Sequence, residues 1–374
     1  MQIMKLYETS QINGMVLKNR FVRSATWEGM AGDDGSTTPQ LIDCMEALAH
    51  GGVGLIITGH AYVLKNGRAR PKQLGVCHDD MIPGLREMTR AVHDRRGKIG
   101  IQLNHAGLFA DSGLTGETPY GPSVVDRLVQ SPHKEMTPDH IESVIEAFGL
   151  AARRAKQAGF DCLQVHGAHG YLINQFLSPA FNKRKDNYGG GIENRSRIFA
   201  NVLKRIRKYV GTRYPVMVKI NSEDFLPGGL GLEDAIRVGI VSKENGADAI
   251  ELSGGTVISG GKIPSRPLIS GEKDEPYYKD AAVAFKETID LPLILVGGIR
   301  SFHVAETILN EQVADYISMS RPFIREPALL NRWKSGDFAP SNCLSDNKCF
   351  APAFAGEGIS CVMEKRLADK RSKN

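Results

Sequence analysis

Two histidines and a tyrosine, His166, His169 and Tyr171, lie within six residues of one another. They come directly after 161–165, an apolar run that predicts a β-strand. Imidazole N–H groups donate hydrogen bonds, and a phenol can deliver a proton. The pattern therefore predicts a site for a substrate that carries an oxygen and develops negative charge on it during reaction.

A His-x-x-His pair can also ligate zinc, which requires further ligands to complete a tetrahedral set. No adjacent cysteine or carboxylate completes such a set around His166 and His169, so no metal site is predicted.

Other apolar runs end in residues that suit a bound ligand, namely Gln102, Lys219, Gly297, Gly298, Ser320 and Arg321. An amide can both donate and accept, a lysine supplies a cation, and glycine-rich loops let backbone N–H groups approach a phosphate. These residues predict a phosphate-bearing ligand. The structural alternatives are a glutamine that only caps a helix and glycines and an arginine that only shape turns.

The elements that must position these residues alternate regularly along the chain. Eight apolar runs are predicted as strands, at 19–25, 54–58, 98–103, 161–165, 215–220, 249–252, 293–296 and 316–319, each followed by helical periodicity. Thr38-Pro39 and Thr137-Pro138 each predict a helix start, because a threonine cap precedes a proline at the first helical position. The pattern predicts an α/β fold, a (β/α)8 TIM barrel, whose chemistry collects at the carboxyl ends of the strands.

Three segments lie outside a minimal barrel. Asn13-Gly14 predicts an N-terminal hairpin that plugs the bottom of the barrel. Residues 106–136 are predicted as a long loop that lines or covers the site. Residues 341–374 are predicted as a C-terminal extension, and 1–340 as the barrel domain.

The composition is that of a globular protein, with 374 residues, 41% hydrophobic and 24% charged. No apolar run approaches the length of a membrane span, and Met1 to Tyr7 lack the apolar core of a secretion signal, which predicts a cytoplasmic protein with free thiols. The net charge of +5 comes without interleaved aromatic residues, so no nucleic-acid or membrane partner is predicted.

The stretch around the two histidines carries a family resemblance. It reads Val165-His166-Gly167-Ala168-His169-Gly170-Tyr171-Leu172 and continues through Gln175 to Pro179, Asn182, Tyr188-Gly189-Gly190 and Glu193-Asn194-Arg195. This sequence resembles the old yellow enzyme family of FMN-dependent ene reductases. The resemblance implies that His166 and His169 bind a carbonyl or nitro oxygen of a small-molecule substrate and that hydride from NAD(P)H reaches the β-carbon through FMN. It also implies that Tyr171, or water in its place, protonates the α-carbon.

The resemblance also implies how the cofactor is held. It assigns Gln102 to the pyrimidine edge of the flavin and Lys219, where the family usually has arginine, to the flavin N1 and C2 carbonyl. Gly297, Gly298 and Arg321 are implied to bind the phosphate, and Ser320 replaces a family glycine there.

The first two strands are implied to pass along the flavin. Ser24, Ala25 and Thr26 fall in this segment, and either Thr26 or Trp27 occupies the position that tunes the flavin potential, with Trp27 also a substrate contact. Gly59 and His60 are implied to lie near the polar edge of the flavin. His60 has two alternatives, contact with the substrate or support of another residue.

The C-terminal extension resembles the iron–sulfur segment of larger relatives, the 2,4-dienoyl-CoA reductase and trimethylamine dehydrogenase types. It holds Cys343, Cys349 and Cys361, with Asp346 where a fourth ligand would stand. A [4Fe–4S] cluster usually requires four thiolates, so we predict FMN without an iron–sulfur cluster. The chain also stops at Asn374, from which no second nucleotide domain is expected.

Three alternatives to an ene reductase remain at this stage. One is a dehydrogenase or demethylase on the same barrel that passes electrons to a partner protein. Another is a metal- or Schiff-base-dependent lyase that uses Lys219, and the third is a non-catalytic flavin-binding protein. The sequence does not identify the substrate or choose between NADH and NADPH. Family members are often oligomers, and a homo-oligomer is expected.

Overall fold

Eight parallel strands close into a barrel in the computed structural model, which describes residues 5–371. The barrel strands are β3 (Phe21–Arg23), β4 (Leu55–Tyr62), β5 (Ile99–Asn104), β8 (Cys162–Gly167), β9 (Val216–Asn221), β10 (Ala249–Ser253), β11 (Leu293–Val296) and β12 (Tyr316–Met319). Outside the barrel lie β1 (Ser10–Ile12), β2 (Met15–Leu17), β6 (Tyr120–Gly121) and β7 (Lys134–Glu135). Each barrel strand pairs with its neighbours in parallel, and β12 pairs with β3, which confirms the predicted (β/α)8 barrel.

The helices that follow the strands cover the barrel. They are α1 (Pro39–His50), α2 (Ile82–Asp94), α3 (Ser112–Thr115), α4 (Pro138–Gln157), α5 (Leu172–Leu177), α6 (Ile192–Arg195), α7 (Arg197–Val210), α8 (Leu232–Glu244), α9 (Lys279–Thr288), α10 (Phe302–Asn310), α11 (Arg321–Arg325), α12 (Leu329–Lys334), α13 (Phe350–Phe354) and α14 (Val362–Arg371). Thr38 and Thr137 cap α1 and α4 with their side chains, so both predicted helix starts are confirmed.

Two strand predictions differ most from the structure in their ends. The first strand is shorter than 19–25, because the Asn19 side chain accepts a hydrogen bond from the Phe21 N–H and donates to the Gly52 carbonyl, which places Asn19 outside the ladder. The second strand runs beyond residue 58 to Tyr62. The pairing of β4 with β5 shifts its register between Ile57 and His60. The strand continues past this irregularity, although the simple apolar run ends there.

The N-terminal hairpin closes the amino end of the barrel. β1 and β2 pair antiparallel across Asn13 and Gly14, whose φ angles of 43° and 79° suit a tight hairpin turn. Its apolar residues pack with side chains inside the barrel in one cluster of Ile12, Met15, Leu17, Val22, Leu55, Ile57, Cys162, Met217, Ala249, Ile294 and Tyr316. Burial of each large side chain contributes roughly 1.5–3 kcal/mol. The amino end is therefore filled, which leaves the carboxyl end for a ligand.

The loop predicted over 106–136 contains more structure than expected. It holds α3 and the two-residue strands β6 and β7, which pair in parallel. Arg184 from the loop after β8 donates to the Pro122 and Met136 carbonyls and forms an ion pair with Asp186. These bonds tie the two long loops together. In the described chain, no helix has the length and apolarity needed to cross a membrane.

Candidate active site

His166, His169 and Tyr171 meet at the carboxyl end of the barrel, as their spacing predicted. His166 lies in β8, and Tyr171 immediately precedes α5. The ring centroid of His166 is 5.0 Å from that of His169 and 5.1 Å from that of Tyr171. His169 has a φ of 66°, a backbone conformation that costs free energy for a residue other than glycine. Its Nε2 lies 2.8 Å from the hydroxyl of Ser253, which anchors the ring.

Both site histidines are neutral imidazoles at ordinary pH. Burial lowers the pKa of His166 well below its usual range, and His169, His60 and Lys219 act in the same direction. Burial and the charge of Lys219 likewise lower the pKa of His169. The Nδ1 of His166 is buried and has no hydrogen-bond partner within the described residues. A buried polar atom in this state is suited to a ligand that is not part of the chain.

His60 joins these residues from the neighbouring strand β4. Its ring centroid lies 5.1 Å from that of Tyr171 and 6.2 Å from that of His166. Burial lowers the pKa of His60 to about 4, and the charge of Arg70 contributes to the same shift. The Gln73 amide lies 2.7 Å from His60 Nδ1, a partner that the sequence analysis did not find because it lies in a loop with no motif.

A chain of polar side chains crosses the barrel interior beneath this cluster. The Gln102 amide nitrogen donates to Gln164 Oε1 at 2.7 Å, and Gln164 in turn donates to Glu251 at 2.8 Å. Lys219 Nζ lies 3.3 Å from Glu251 Oε1 and donates to Ser24 Oγ at 2.8 Å. The two predicted cofactor residues Gln102 and Lys219 are thus joined through Gln164 and Glu251.

Glu251 changes the interpretation of Lys219. Burial raises the pKa of Glu251, but Lys219 and hydrogen bonds from Ser24, Ser318 and Gln164 hold it below its ordinary value on balance. Burial lowers the pKa of Lys219, and Glu251 opposes that shift. The lysine charge is therefore paired within the barrel and does not stand alone. A carboxylate inside the apolar run 249–252 was the sequence signal for this pair.

The segment from Ser24 to Trp27 follows β3, and its side chains lie in three different surroundings. Thr26 Oγ1 lies 2.6 Å from Ser320 Oγ, so it faces the end of β12. Trp27 packs with Cys349, Ala353 and Ile359 of the C-terminal extension. Its ring centroid is 5.0 Å from that of Phe354. Ala25 packs against the cluster inside the barrel.

Gly59 is the residue of β4 at which the segment from Ser24 to Trp27 crosses that strand. A Cβ atom built on Gly59 would stand 2.3 Å from Glu28 Oε2 and 2.6 Å from the Thr26 carbonyl oxygen, so no larger residue fits. The Gly59 N–H donates to Glu28, and Glu28 forms a buried ion pair with Arg23 at 2.9 Å. The glycine permits the close approach that keeps Thr26 and Trp27 at the mouth of the barrel.

The predicted phosphate loops lie at the ends of β11 and β12. Gly297 and Gly298 have φ angles of 133° and 83°, and the ring of Tyr277 packs directly against Gly298. Beyond them, two backbone N–H groups that directly precede α10 are already occupied, because Glu275 accepts from the N–H groups of Arg300 and Ser301 at 2.8 and 3.0 Å.

Arg321 lies at the start of α11 and bonds to the C-terminal extension. Its guanidinium donates to Asn347 Oδ1 at 2.8 Å and to the Ser345 carbonyl at 3.2 Å. Arg266, which the sequence analysis did not single out, places its guanidinium 4.5 Å from the Tyr277 ring centroid. The charges of Arg266 and Arg321 both act on Tyr277, whose ring lies against Gly298, and two cations in this region are suited to an anion.

The three thiols of the C-terminal extension and Asp346 line one small cavity beside α11. Burial raises the pKa of Cys343 and of Cys349, which disfavours the thiolate form that ligates metals. Within 5–371, no group of three or more histidine, cysteine or acidic side chains is arranged to hold a single metal ion. Three thiols are one short of the four thiolates that a [4Fe–4S] cluster usually takes.

Comparison with known proteins identifies the family. The family model for NADH:flavin oxidoreductase / NADH oxidase matches residues 5–338. The chain is 38% identical over 324 residues to an NADPH dehydrogenase of Halalkalibacterium halodurans, covering 86% of this chain and 92% of that protein. It is 35% identical over 335 residues to an NADH oxidase of Thermoanaerobacter brockii, covering 88% of this chain and 51% of that protein.

Solved structures of related proteins share the fold. A 2-naphthoyl-CoA reductase in complex with 2-naphthoyl-CoA superposes with a TM-score of 0.89 at 27% identity, covering 98% of this chain and 57% of that one. An old yellow enzyme homologue from Zymomonas mobilis gives 0.77 at 26% identity, covering 91% and 96%. The chain thus belongs to the NADH:flavin oxidoreductase / NADH oxidase family, and the predicted old yellow enzyme relationship is confirmed. It spans about half the length of some relatives, such as the NADH oxidase.

Proposed function

We propose that this chain is an FMN-dependent oxidoreductase that takes hydride from NAD(P)H and reduces the C=C bond of an α,β-unsaturated carbonyl or nitro compound. The observation that carries the proposal is the unpartnered, buried Nδ1 of His166, which lies beside His169 and Tyr171 at the open end of a flavin-family barrel. A ring nitrogen in this state fits a substrate oxygen, to which it donates when it carries the ring proton, because a polar group buried without a partner costs free energy until a ligand satisfies it.

FMN fits the residues at this end of the barrel. Gln102 and Lys219 offer an amide and a cation at the floor, while Gly297, Gly298, Ser320 and Arg321 would hold the phosphate. When bound, FMN supplies the hydride acceptor and donor that no amino-acid side chain provides. We propose FMN without an iron–sulfur cluster, because only three thiols line the cavity of the C-terminal extension.

The chain's own residues then act on the substrate. Neutral His166 and His169 donate hydrogen bonds to the substrate oxygen as negative charge develops on it, which lowers the barrier because the donors are fixed in advance. Tyr171 delivers a proton to the α-carbon. The surrounding apolar residues, among them Ala69, Ala106 and Phe109, keep water away from this point.

An anaerobic visible spectrum of the purified protein tests the proposal. We expect a flavin band without broad iron–sulfur absorbance, bleaching by NADH or NADPH, and recovery of the band when 2-cyclohexenone is added. A variant with His166→Ala and His169→Ala serves as the matched control. It should bleach like the wild type and recover slowly with the enone.

Other outcomes of the same titration identify a different function. Reduced flavin that recovers only with an artificial electron acceptor and never with enones would contradict alkene reduction and favour the dehydrogenase alternative. A colourless protein that cannot be reconstituted with FMN would contradict the flavin assignment. A homo-oligomer and a cytoplasmic location stay predictions, and size-exclusion chromatography with light scattering tests the first.

A further inference from the structure

The buried amide of Gln73 fixes the proton of His60. Gln73 Oε1 accepts from the backbone N–H groups of Ala69 and Arg70 at 2.8 and 3.2 Å, so the opposite atom of the amide is the nitrogen. That nitrogen lies 2.9 Å from the His60 carbonyl oxygen and 2.7 Å from His60 Nδ1. An amide nitrogen only donates, so Nδ1 of the neutral imidazole must be the acceptor. The ring proton of His60 is therefore on Nε2.

His60 Nε2 faces the hydroxyl of Tyr171 at 3.5 Å. Because Nε2 carries the proton, His60 is the donor in this contact and the phenol oxygen is the acceptor. The phenol proton is then free to point away from His60, towards a bound substrate. The long distance leaves room for the contact to shorten when negative charge appears on the phenol oxygen.

Arg70 brings a cation to the same oxygen. Burial raises the pKa of Tyr171, and the charge and hydrogen bond of the Arg70 guanidinium lower it. The guanidinium lies 5.3 Å from the ring centroid of Phe354 in the C-terminal extension. Gln73 holds the Arg70 backbone N–H, and Arg68 Nε donates to the Arg70 carbonyl oxygen at 3.1 Å. The single side chain of Gln73 thus links the two groups that approach Tyr171.

The chemistry of proton delivery explains why two donors are needed. When Tyr171 protonates the α-carbon, its O–H bond breaks, a C–H bond forms, and the electron pair stays on the phenolate oxygen. Hydride at the β-carbon completes the two-electron reduction, and water later reprotonates the phenolate. Burial disfavours a phenolate, and a fixed cation with a fixed N–H donor offsets that cost.

We propose that Arg70 and His60, both held by Gln73, are positioning residues that aim the Tyr171 proton at the substrate and stabilise the phenolate left behind. The proposal rests on the proposed function, because it takes an alkene as the acceptor. The charged or titratable groups at Tyr171 are Arg70, His60 and His166, and only Arg70 carries a positive charge at neutral pH.

Stopped-flow kinetics on the FMN-loaded protein tests the proposal. The two half-reactions, bleaching of the flavin band by NAD(P)H and its recovery with an enone, are measured separately. Arg70→Gln removes the charge, Arg70→Lys keeps it, and both are measured with the wild-type Tyr171 and in a Tyr171→Phe background. The control is Lys72→Gln, which removes a positive charge two residues away, where Lys72 lies 3.9 Å from Asp33. The acceptor is 2-cyclohexenone, which has no charge for Arg70 to bind.

We expect Arg70→Gln to slow recovery of the flavin band by about tenfold or more, within the range that general acid catalysis contributes. Bleaching by NAD(P)H and the dissociation constant of the enone should stay within about twofold of wild type, and Arg70→Lys should restore most of the rate. In the Tyr171→Phe background, Arg70→Gln should have no further effect. Lys72→Gln should behave like the wild type.

Three results would overturn the proposal. The first is that Arg70→Gln slows recovery of the flavin band equally with and without the Tyr171 hydroxyl. The second is that Arg70→Gln slows bleaching and recovery equally, and the third is that it slows neither. Each leaves the proposed function standing if Tyr171→Phe alone slows recovery. If Tyr171→Phe does not slow recovery, the proton-donor role fails, and this inference fails with it.

Discussion

The Nζ atom of Lys219 lies 3.3 Å from the Oε1 atom of Glu251 inside the barrel, and both side chains are almost completely buried. The two residues occupy directly paired positions on neighbouring strands β9 and β10. Ser24 Oγ donates to Glu251 and accepts from Lys219, so the ion pair is also joined to the segment that follows the first barrel strand. The cation predicted to lie beside the cofactor is therefore also part of a buried ion pair.

Glu251→Gln should destabilise the protein by about 3–5 kcal/mol, because it leaves the buried Lys219 charge without compensation. Urea unfolding at pH 7 measures the change. The double variant Lys219→Met with Glu251→Gln is the matched control and should recover much of the loss, since no buried charge remains. Equal losses in the single and double variants would contradict a role for charge pairing.

Tyr171→Phe should slow alkene reduction by about 10²–10⁴-fold, the contribution of a general acid, and leave flavin reduction by NAD(P)H unchanged. The hydroxyl is lost while the ring stays in its apolar surroundings of Ala69, Ala106 and Ala110. Anaerobic stopped-flow measurement of each half-reaction separates the two effects. Equal slowing of both half-reactions would show that the ring shapes the site and is not a proton donor.

Gly59→Ala should destabilise the protein by roughly 1–3 kcal/mol, the usual cost of overpacking, and weaken flavin binding. The added Cβ would meet the Glu28 carboxylate, which is held by a buried ion pair with Arg23, and the Thr26 carbonyl of the backbone. The control is Gly231→Ala, where nothing lies within 4 Å of the added atom. Thermal unfolding and flavin retention are the measurements. If the Gly59→Ala protein were as stable as the control, the segment from Ser24 to Trp27 would not cross β4 as closely as described.

Acid should destabilise the fold through its buried histidines. Burial lowers the pKa of His60 and of His105 from 6.5 to about 4. Between these two pH values the unfolded chain binds protons at both histidines, whereas the folded chain does not. Stability then rises with pH between about 4 and 6.5, and lowering the pH from 7 to 5 should cost about 2 kcal/mol for each of these two groups.

Urea unfolding at pH 7, 6 and 5 measures this dependence. The comparison variant is His105→Gln, which removes one titrating group. Its stability at pH 7 will be lower, because the His105 ring accepts from the Gly107 N–H at 3.0 Å. Its loss of stability between pH 7 and 5 should nevertheless be smaller than that of the wild type. If the free energy of unfolding changed equally with pH in the variant and the wild type, His105 would not titrate between pH 7 and 5.

Much of the fold and of the site could be predicted from the chain alone, because the relevant signals are local. Continuous apolar runs, threonine caps before prolines and the hairpin dipeptide each report on a few neighbouring residues. The three residues His166, His169 and Tyr171 lie within one short segment, so a single strand end brings them together. The parallel barrel then requires the other strand ends to meet at the same face.

Contacts between distant segments were decided only by the tertiary structure. Gln73 and His60 are 13 residues apart, Lys219 and Glu251 are 32, and Thr26 and Ser320 are 294, and no periodicity relates their side chains. The pKa of each buried histidine depends on how much water and charge the surrounding strands leave around it. The sequence determined which chemical groups reach the open end of the barrel, while packing determined which of them are paired, which are neutral and which remain free for a ligand.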